Sequence, residues 1–250
     1  VDSVIVGKFV GKQALAAVAS SGNLIFMMTG FFMGLFIGAG IVIAQYFGAR
    51  NYEKVRSAVH TDIAFALCCG VLLTLLGVFF TPTLLTWMRT PADVLSTSIL
   101  YFRLYFLGSL ATILYNAGMG ILQAVGDSRS PLYYLVISSV VNVALDLLFV
   151  GAMDMGVAGA AVATVISQVV SAVLCIIKLT RSDGPYRLEI KRIGFDLPLL
   201  KKITSQGVPS GVQNSIIAIA NVVVQSNINT FGSDAMAGCG SYSRVEGFAF

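Results

Sequence analysis

The sequence predicts an all-α polytopic membrane protein, and three observations carry that prediction. Of its 250 residues, 56% are apolar and only 11% are charged, where an ordinary soluble domain carries about a quarter charged residues. The deficit is gathered into five stretches with no Asp, Glu, Lys or Arg, at 13–49, 63–88, 104–126, 155–177 and 203–233. Each exceeds the roughly 18–20 residues that take a helix across a bilayer. None shows the alternation of a membrane barrel strand, and backbone groups in lipid must be satisfied within their own segment, so helices follow.

Taken in order, VDSVIVG at 1–7 reads as the outer end of a first span, with Asp2 an acid at membrane depth. GKFVGKQALAAVA then reads as a short loop. A second span covers Asn23–Phe47. Its Gly30, Gly34 and Gly38 form a doubled G-x-x-x-G, a pattern that lets a neighbouring helix approach closely. After the basic loop GARNYEKVRSAVH, whose His60 is expected to be solvated, a third span runs Thr61–Thr81. Pro82 and Pro91 follow as breakers, and Trp87 suits a membrane interface. The fourth span, Thr97–Val125, ends in QAVGDSRSP, where Asp127 and Arg129 read as turn chemistry.

The fifth span, Leu132–Met153, carries the chemistry. Asn142 and Asp146 stand four apart in an otherwise apolar segment, which puts both on one helix face. An aspartate at that depth is costly and usually faces a cavity, a partner or an ion. The pair therefore reads as a cation site. A small-residue run, GVAGAAVAT, opens the sixth span (Val157–Leu179) and predicts close packing on the fifth. Residues 180–202 are polar and too few to bury a core. A seventh span covers Ile203–Phe231, with a kink expected at Pro209 and Gly211, and an eighth starts near Ala235. The expected division is a six-helix unit at 1–179, a linker at 180–202 and the start of a second unit at 203–250.

Basic residues fix the orientation. With the loops at 50–60, 126–131 and 180–202 on one side, eleven lysines and arginines fall there, counting Lys178 at the adjoining end of the sixth span, and three fall opposite, so those loops are expected in the cytoplasm. The net charge of +4 lies between spans, which gives no reason to expect nucleic acid. Cys68, Cys69, Cys175 and Cys239 form no metal or disulfide pattern and read as buried small apolar residues. An internal repeat is visible as well. FVGKQALAAV at 9–18 aligns with TFGSDAMAGC at 230–239, an offset of 221. Six spans per copy would make a whole protein of about 12, of which this chain is expected to be a fragment with seven to eight.

These residues resemble the multidrug and toxic compound extrusion (MATE) family. The resemblance rests on VDSVIVGKFVG at 1–11, AQYFGARNYEKVRSAV at 44–59, LQAVGDSRSPL at 122–132, NVALDLLFV at 142–150 and GVAGAAVATVISQ at 156–168. Gln123 stands where many members carry an arginine. The resemblance implies two six-helix lobes around a cleft in the cell membrane. It further implies export of amphiphilic, often cationic, small molecules by alternating access, driven by inward flow of H+ or Na+. It implies a cation-coupling cluster of Asp2, Asn142, Asp146 and Thr164 that could hold Na+, with Glu246 a weaker candidate for a second-lobe acid. No cofactor beyond the coupling ion and no catalytic residue is expected, and the protein is expected to act as a monomer. A flippase for lipid-linked sugars would call for a more basic cleft. An enzyme or receptor finds no support, since no H-E-x-x-H or G-x-S-x-G is present.

Overall fold

A computed structural model describes the backbone of residues 2–19 and 21–249, and of these the side chains of all but 2–4, 12, 13, 16, 19, 21 and 243–249. The described backbone is helical, with no strand. In chain order it forms α1 (Asp2–Phe9), α2 (Lys12–Ala19), α3 (Ser21–Gly48), α4 (Tyr52–Trp87), α5 (Ala92–Leu107), α6 (Ser109–Ala124) and α7 (Arg129–Asp146). A π-helical turn at Leu147–Ala152 follows, then α8 (Gly156–Arg181), α9 (Leu197–Asn229) and α10 (Ser233–Ala249). Among the described residues five helices are long and apolar enough to cross a bilayer. The α5–α6 pair makes a sixth when taken as one span.

Several local expectations change. Residues 12–19 are not loop but the helix α2. Pro82 does not end the third span, because α4 continues through it to Trp87. A proline costs a helix one backbone donor, and nearby hydroxyls turn back onto α4: Thr81 donates to the Gly77 carbonyl and Thr86 to that of Pro82. The fourth span is broken at Gly108, where α5 and α6 meet at 47°. The expected 50–60 loop shrinks to a tight turn, since α4 already starts at Tyr52, capped by the Asn51 side chain accepting from the Lys54 N–H.

Packing is set by small residues, as expected of helices that meet in lipid. A Cβ on Gly77 would strike the Phe106 ring, and one on Gly118 would strike Cys175 Sγ. On Gly159 it would come within 3.0 Å of Phe149, so the small run opening α8 does seat against the preceding span. One apolar core joins α3, α4, α5, α6 and α8. Apolar side chains also face outward along α7 and α9, among them Tyr133, Val140, Ile216 and Val224, as suits surface in contact with lipid or further helices. The cysteines divide: Cys69 and Cys175 are buried, Cys68 is exposed on α4 and Cys239 is intermediate.

The polar 180–202 segment is docked, not free. Leu188 is buried and its N–H donates to the Leu179 carbonyl. The Glu189 N–H donates to His60 Nε2 at 3.0 Å, and the Asp196 N–H donates to Thr61 Oγ1 at 3.1 Å. His60, expected in solvent, is therefore buried. Its Nε2 accepts, so Nδ1, 2.7 Å from the Arg56 carbonyl, carries the proton.

The two stretches of the internal repeat share their geometry. Gly11 (φ 110°) and Gly232 (φ 92°) both adopt the left-handed backbone that glycine tolerates. The Leu15 N–H donates to the Gly11 carbonyl at 3.1 Å, and the Met236 N–H to the Gly232 carbonyl at 3.2 Å. Each pair sits at the offset of 221 found in the sequence.

Candidate cation site

Asp146 is the last residue of α7, and the π-helical turn begins at Leu147. A π turn shifts the hydrogen-bond register by one residue and recurs at functional positions. Asp146 is fully buried, with no accessible surface. Asn142, one turn earlier, is half-buried, and its Nδ2 is buried with no acceptor among the described residues. Such a donor is costly to leave unmade unless a ligand or water takes it up. Thr164 is half-buried on α8, and its hydroxyl donates to the Ala160 carbonyl at 2.9 Å.

Helix register places four backbone positions at a similar depth. Phe9 of α1 lies against Gly151 of the π turn, and Val10 lies against Gly156 at the start of α8. Counting back along each helix at about 1.5 Å per residue, Asp2, Asn142, Asp146 and Thr164 fall within roughly 6 Å of one level. The side chain of Asp2 lies outside the described residues, as does that of Glu246 on α10.

One buried acid was missed from the sequence. Asp62 on α4 is 1% exposed, and its Oδ1 has no hydrogen-bond partner among the described residues. It directly follows His60 and Thr61, the two residues that hold the linker. The signal was present, since Asp62 falls just inside the expected third span. A cavity of about 470 Å³ lies between α3 and α6, walled by Met33, Phe36, Ile41 and Met119, with Asn116 and Gln123 as polar groups. Its size and lining, mostly apolar with a few polar anchors, are those of a small-molecule site.

Together these features define a multi-pass helical membrane protein with acids and amides in its interior. The MatE family model matches residues 1–148, and the chain belongs to that family, the MATE transporters. It is 32% identical over 255 residues to the probable multidrug resistance protein YoeA of Bacillus subtilis (strain 168), covering 99% of this chain and 55% of that protein. An inward-facing multidrug resistance MATE transporter superposes with a TM-score of 0.90 at 26% identity, over 98% of this chain and 56% of the other. An outward-facing MATE transporter gives 0.79 at 27% identity, over 88% and 49%. The chain thus spans about half the length of the relatives it matches.

Proposed function

We propose that this chain supplies a six-helix lobe (1–179), the linker (180–202) and the start of a second lobe (203–250) of a cation-coupled exporter of amphiphilic small molecules in the cell membrane. The observation that carries this reading is Asp146, fully buried at an α-to-π junction, with an unmet amide donor one turn away. Carboxylate, amide and hydroxyl oxygens suit H+ or Na+, which enters here as cargo. Asp2, Asn142, Asp146 and Thr164 are the residues proposed to bind it, and Glu246 is kept as a candidate acid of the second lobe. The α3–α6 cavity is proposed to seat the exported molecule. Relatives named as multidrug resistance proteins support this direction of transport.

Coupling needs the cation and the exported molecule to favour different lobe arrangements, because a ligand with equal affinity for both shifts nothing. Two carboxylates near one cavity repel, and a cation arriving from outside relieves that repulsion. The linker and the turns at 49–51 and 125–128 are proposed to lie in the cytoplasm, and the complete protein to work as a monomer without a cofactor.

The test uses the complete protein in proteoliposomes, with export of a fluorescent cationic dye under imposed proton or sodium gradients. Gradient-driven export in the wild type, lost in a folded Asp146→Asn variant, is expected and identifies the ion. Undiminished coupling in Asp146→Asn would demote the α7 pair to helix packing.

A further inference from the structure

The helices of the proposed second lobe meet the first lobe at the outer end of the molecule through two separate sets of side chains. The first set is a chain of amides. Asn23, at the outer end of α3, donates through Nδ2 to Gln225 Oε1 at 3.0 Å. Gln225 Nε2 donates to Asn229 Oδ1 at 2.9 Å, and Asn229 Nδ2 to the Met88 carbonyl at 2.8 Å, at the C-terminal end of α4. Gln225 is 5% and Asn229 is 3% exposed. The second set is apolar. Val94 at the start of α5 packs with Met236 and Ala237 of α10, and Leu15 of α2 lies against them. Leu15 and Met236 are equivalent positions of the internal repeat, so this contact joins a repeated element to its own counterpart.

Further inward α3 and α9 of the same two lobes cross with their backbones in direct contact at glycines. A Cβ on Gly34 would lie 2.3 Å from the Gly211 nitrogen, and one on Gly38 would lie 2.3 Å from that of Gly207. At these two points no side chain stands between the helices, so the backbones themselves form the bearing surface on which α3 and α9 can tilt. Pro209 lies between the two α9 glycines and removes one backbone donor there.

We propose that these contacts form the outer gate of the transporter, with Leu15, Val94, Met236 and Ala237 as its seal and the Asn23–Gln225–Asn229–Met88 chain as its latch. The glycine crossing of α3 and α9 is the pivot. This inference rests on the alternating-access reading above, and the shape agrees with it: the chain superposes better on an inward-facing relative than on an outward-facing one. To open outward, the protein must break the two hydrogen bonds that tie α9 to α3 and α4, the Gln225–Asn229 bond lying within α9, and wet four apolar side chains. A bound cation has to favour that step.

The experiment uses the complete protein with its native cysteines replaced and Leu15→Cys introduced, labelled from outside by a membrane-impermeant maleimide. Asn229→Ala is expected to raise the labelling rate about fivefold to tenfold, the shift that losing one buried hydrogen bond gives a two-state equilibrium. Asn23→Ala, which removes only the half-buried first link, serves as the second variant and should raise it less. A cross-link between Leu15→Cys and Met236→Cys should abolish dye export, and reduction should restore it. Unchanged labelling in both latch variants, or export by the cross-linked protein at the reduced protein's rate, would overturn the gate. Absence of gradient-driven export in uncross-linked wild type would instead sink the exporter reading, and the labelling rates would still decide whether the outer contacts open.

Discussion

Two groups of buried and half-buried amides, the outer chain and Asn142 on α7, differ in whether their donors find acceptors among the described residues. In the outer chain every amide that donates finds an acceptor, from Asn23 through Gln225 and Asn229 to the Met88 carbonyl. In the α7 group Asn142 Nδ2 is buried with no acceptor among the described residues, beside a fully buried Asp146. A closed network specifies one packing arrangement, and a half-met one is costly unless something else completes it. The difference teaches what each group is for. The closed chain ties α9 to α3 and α4, and the unmet Asn142 donor is the group that the proposed ion or water site would complete.

The largest expected effect comes from separating the helices that hold the closed chain in place. Gly34→Ala and Gly38→Ala each drive a Cβ into opposing backbone, which cannot move aside as a flexible side chain can. Overpacking of this kind costs about 1–3 kcal/mol and occasionally more, and the double variant should fail to give monodisperse protein in detergent. Gly22→Ala, where nothing lies within 4 Å, should leave thermal stability within about 0.5 kcal/mol of wild type. Equal losses at Gly22 and Gly38 would show that glycine flexibility matters here, not close approach.

The next effect separates the two groups by sign. Gln225→Ala removes the middle of the closed chain and strands an Asn23 donor and an Asn229 acceptor, at a cost of about 1–3 kcal/mol in thermal stability. Asn142→Leu removes a donor that is already unmet, so stability should hold or rise by about 1 kcal/mol while cation-driven transport falls. If both variants destabilise alike, the open group is as structural as the closed one.

A smaller effect is expected where the linker is pinned. His60→Ala deletes the acceptor of the Glu189 N–H. Losing one hydrogen bond of about 1 kcal/mol should speed tryptic cleavage at Arg187, Lys191 and Arg192 roughly fivefold. Cleavage at the wild-type rate would leave Thr61 and the buried Leu188 as sufficient anchors.

The helical fold was legible because charge-free runs longer than a bilayer crossing admit few other structures. The α7 pair was legible for a related reason, since Asn142 and Asp146 interrupt such a run at helical spacing. What stayed hidden depended on partners distant in sequence. Gly30, Gly34 and Gly38 announced a close approach but not α9 as the helix that makes it. His60 read as a solvated end because its partner, the Glu189 N–H, lies 129 residues away. Asn23, Gln225 and Asn229 carry no motif at all, being three amides among many until folding lines them up. Asp62 was obscured by its place at a span boundary, where an acid ordinarily meets water. Pro82 misled because helix ends and helix-internal prolines look alike without knowledge of what packs around them.

The smallest predicted effect concerns an acid in the turn between two spans. Asp127, in the turn before α7, accepts from the Ser130 N–H at 3.0 Å and the Ser130 hydroxyl at 2.7 Å, with Lys178 Nζ at 3.7 Å. Partial burial on its own would raise the Asp127 pKa, but the Ser130 bonds and the Lys178 charge outweigh it and hold the carboxyl below its ordinary value. A carboxylate with a depressed folded pKa adds stability that is fully present above its unfolded pKa, near 3.9, and is lost as pH falls through the folded value. The pair with Lys178 is partly exposed and screened, so most of the gain comes from the Ser130 bonds that hold the first turn of α7. Asp127→Asn should therefore lower stability by about 0.5–1 kcal/mol at pH 7, with the gap to wild type closing below roughly pH 4. Thermal melts of both proteins across that range provide the check. A gap that stays constant with pH would assign the loss to altered turn geometry and leave the carboxylate charge with no part in holding α7.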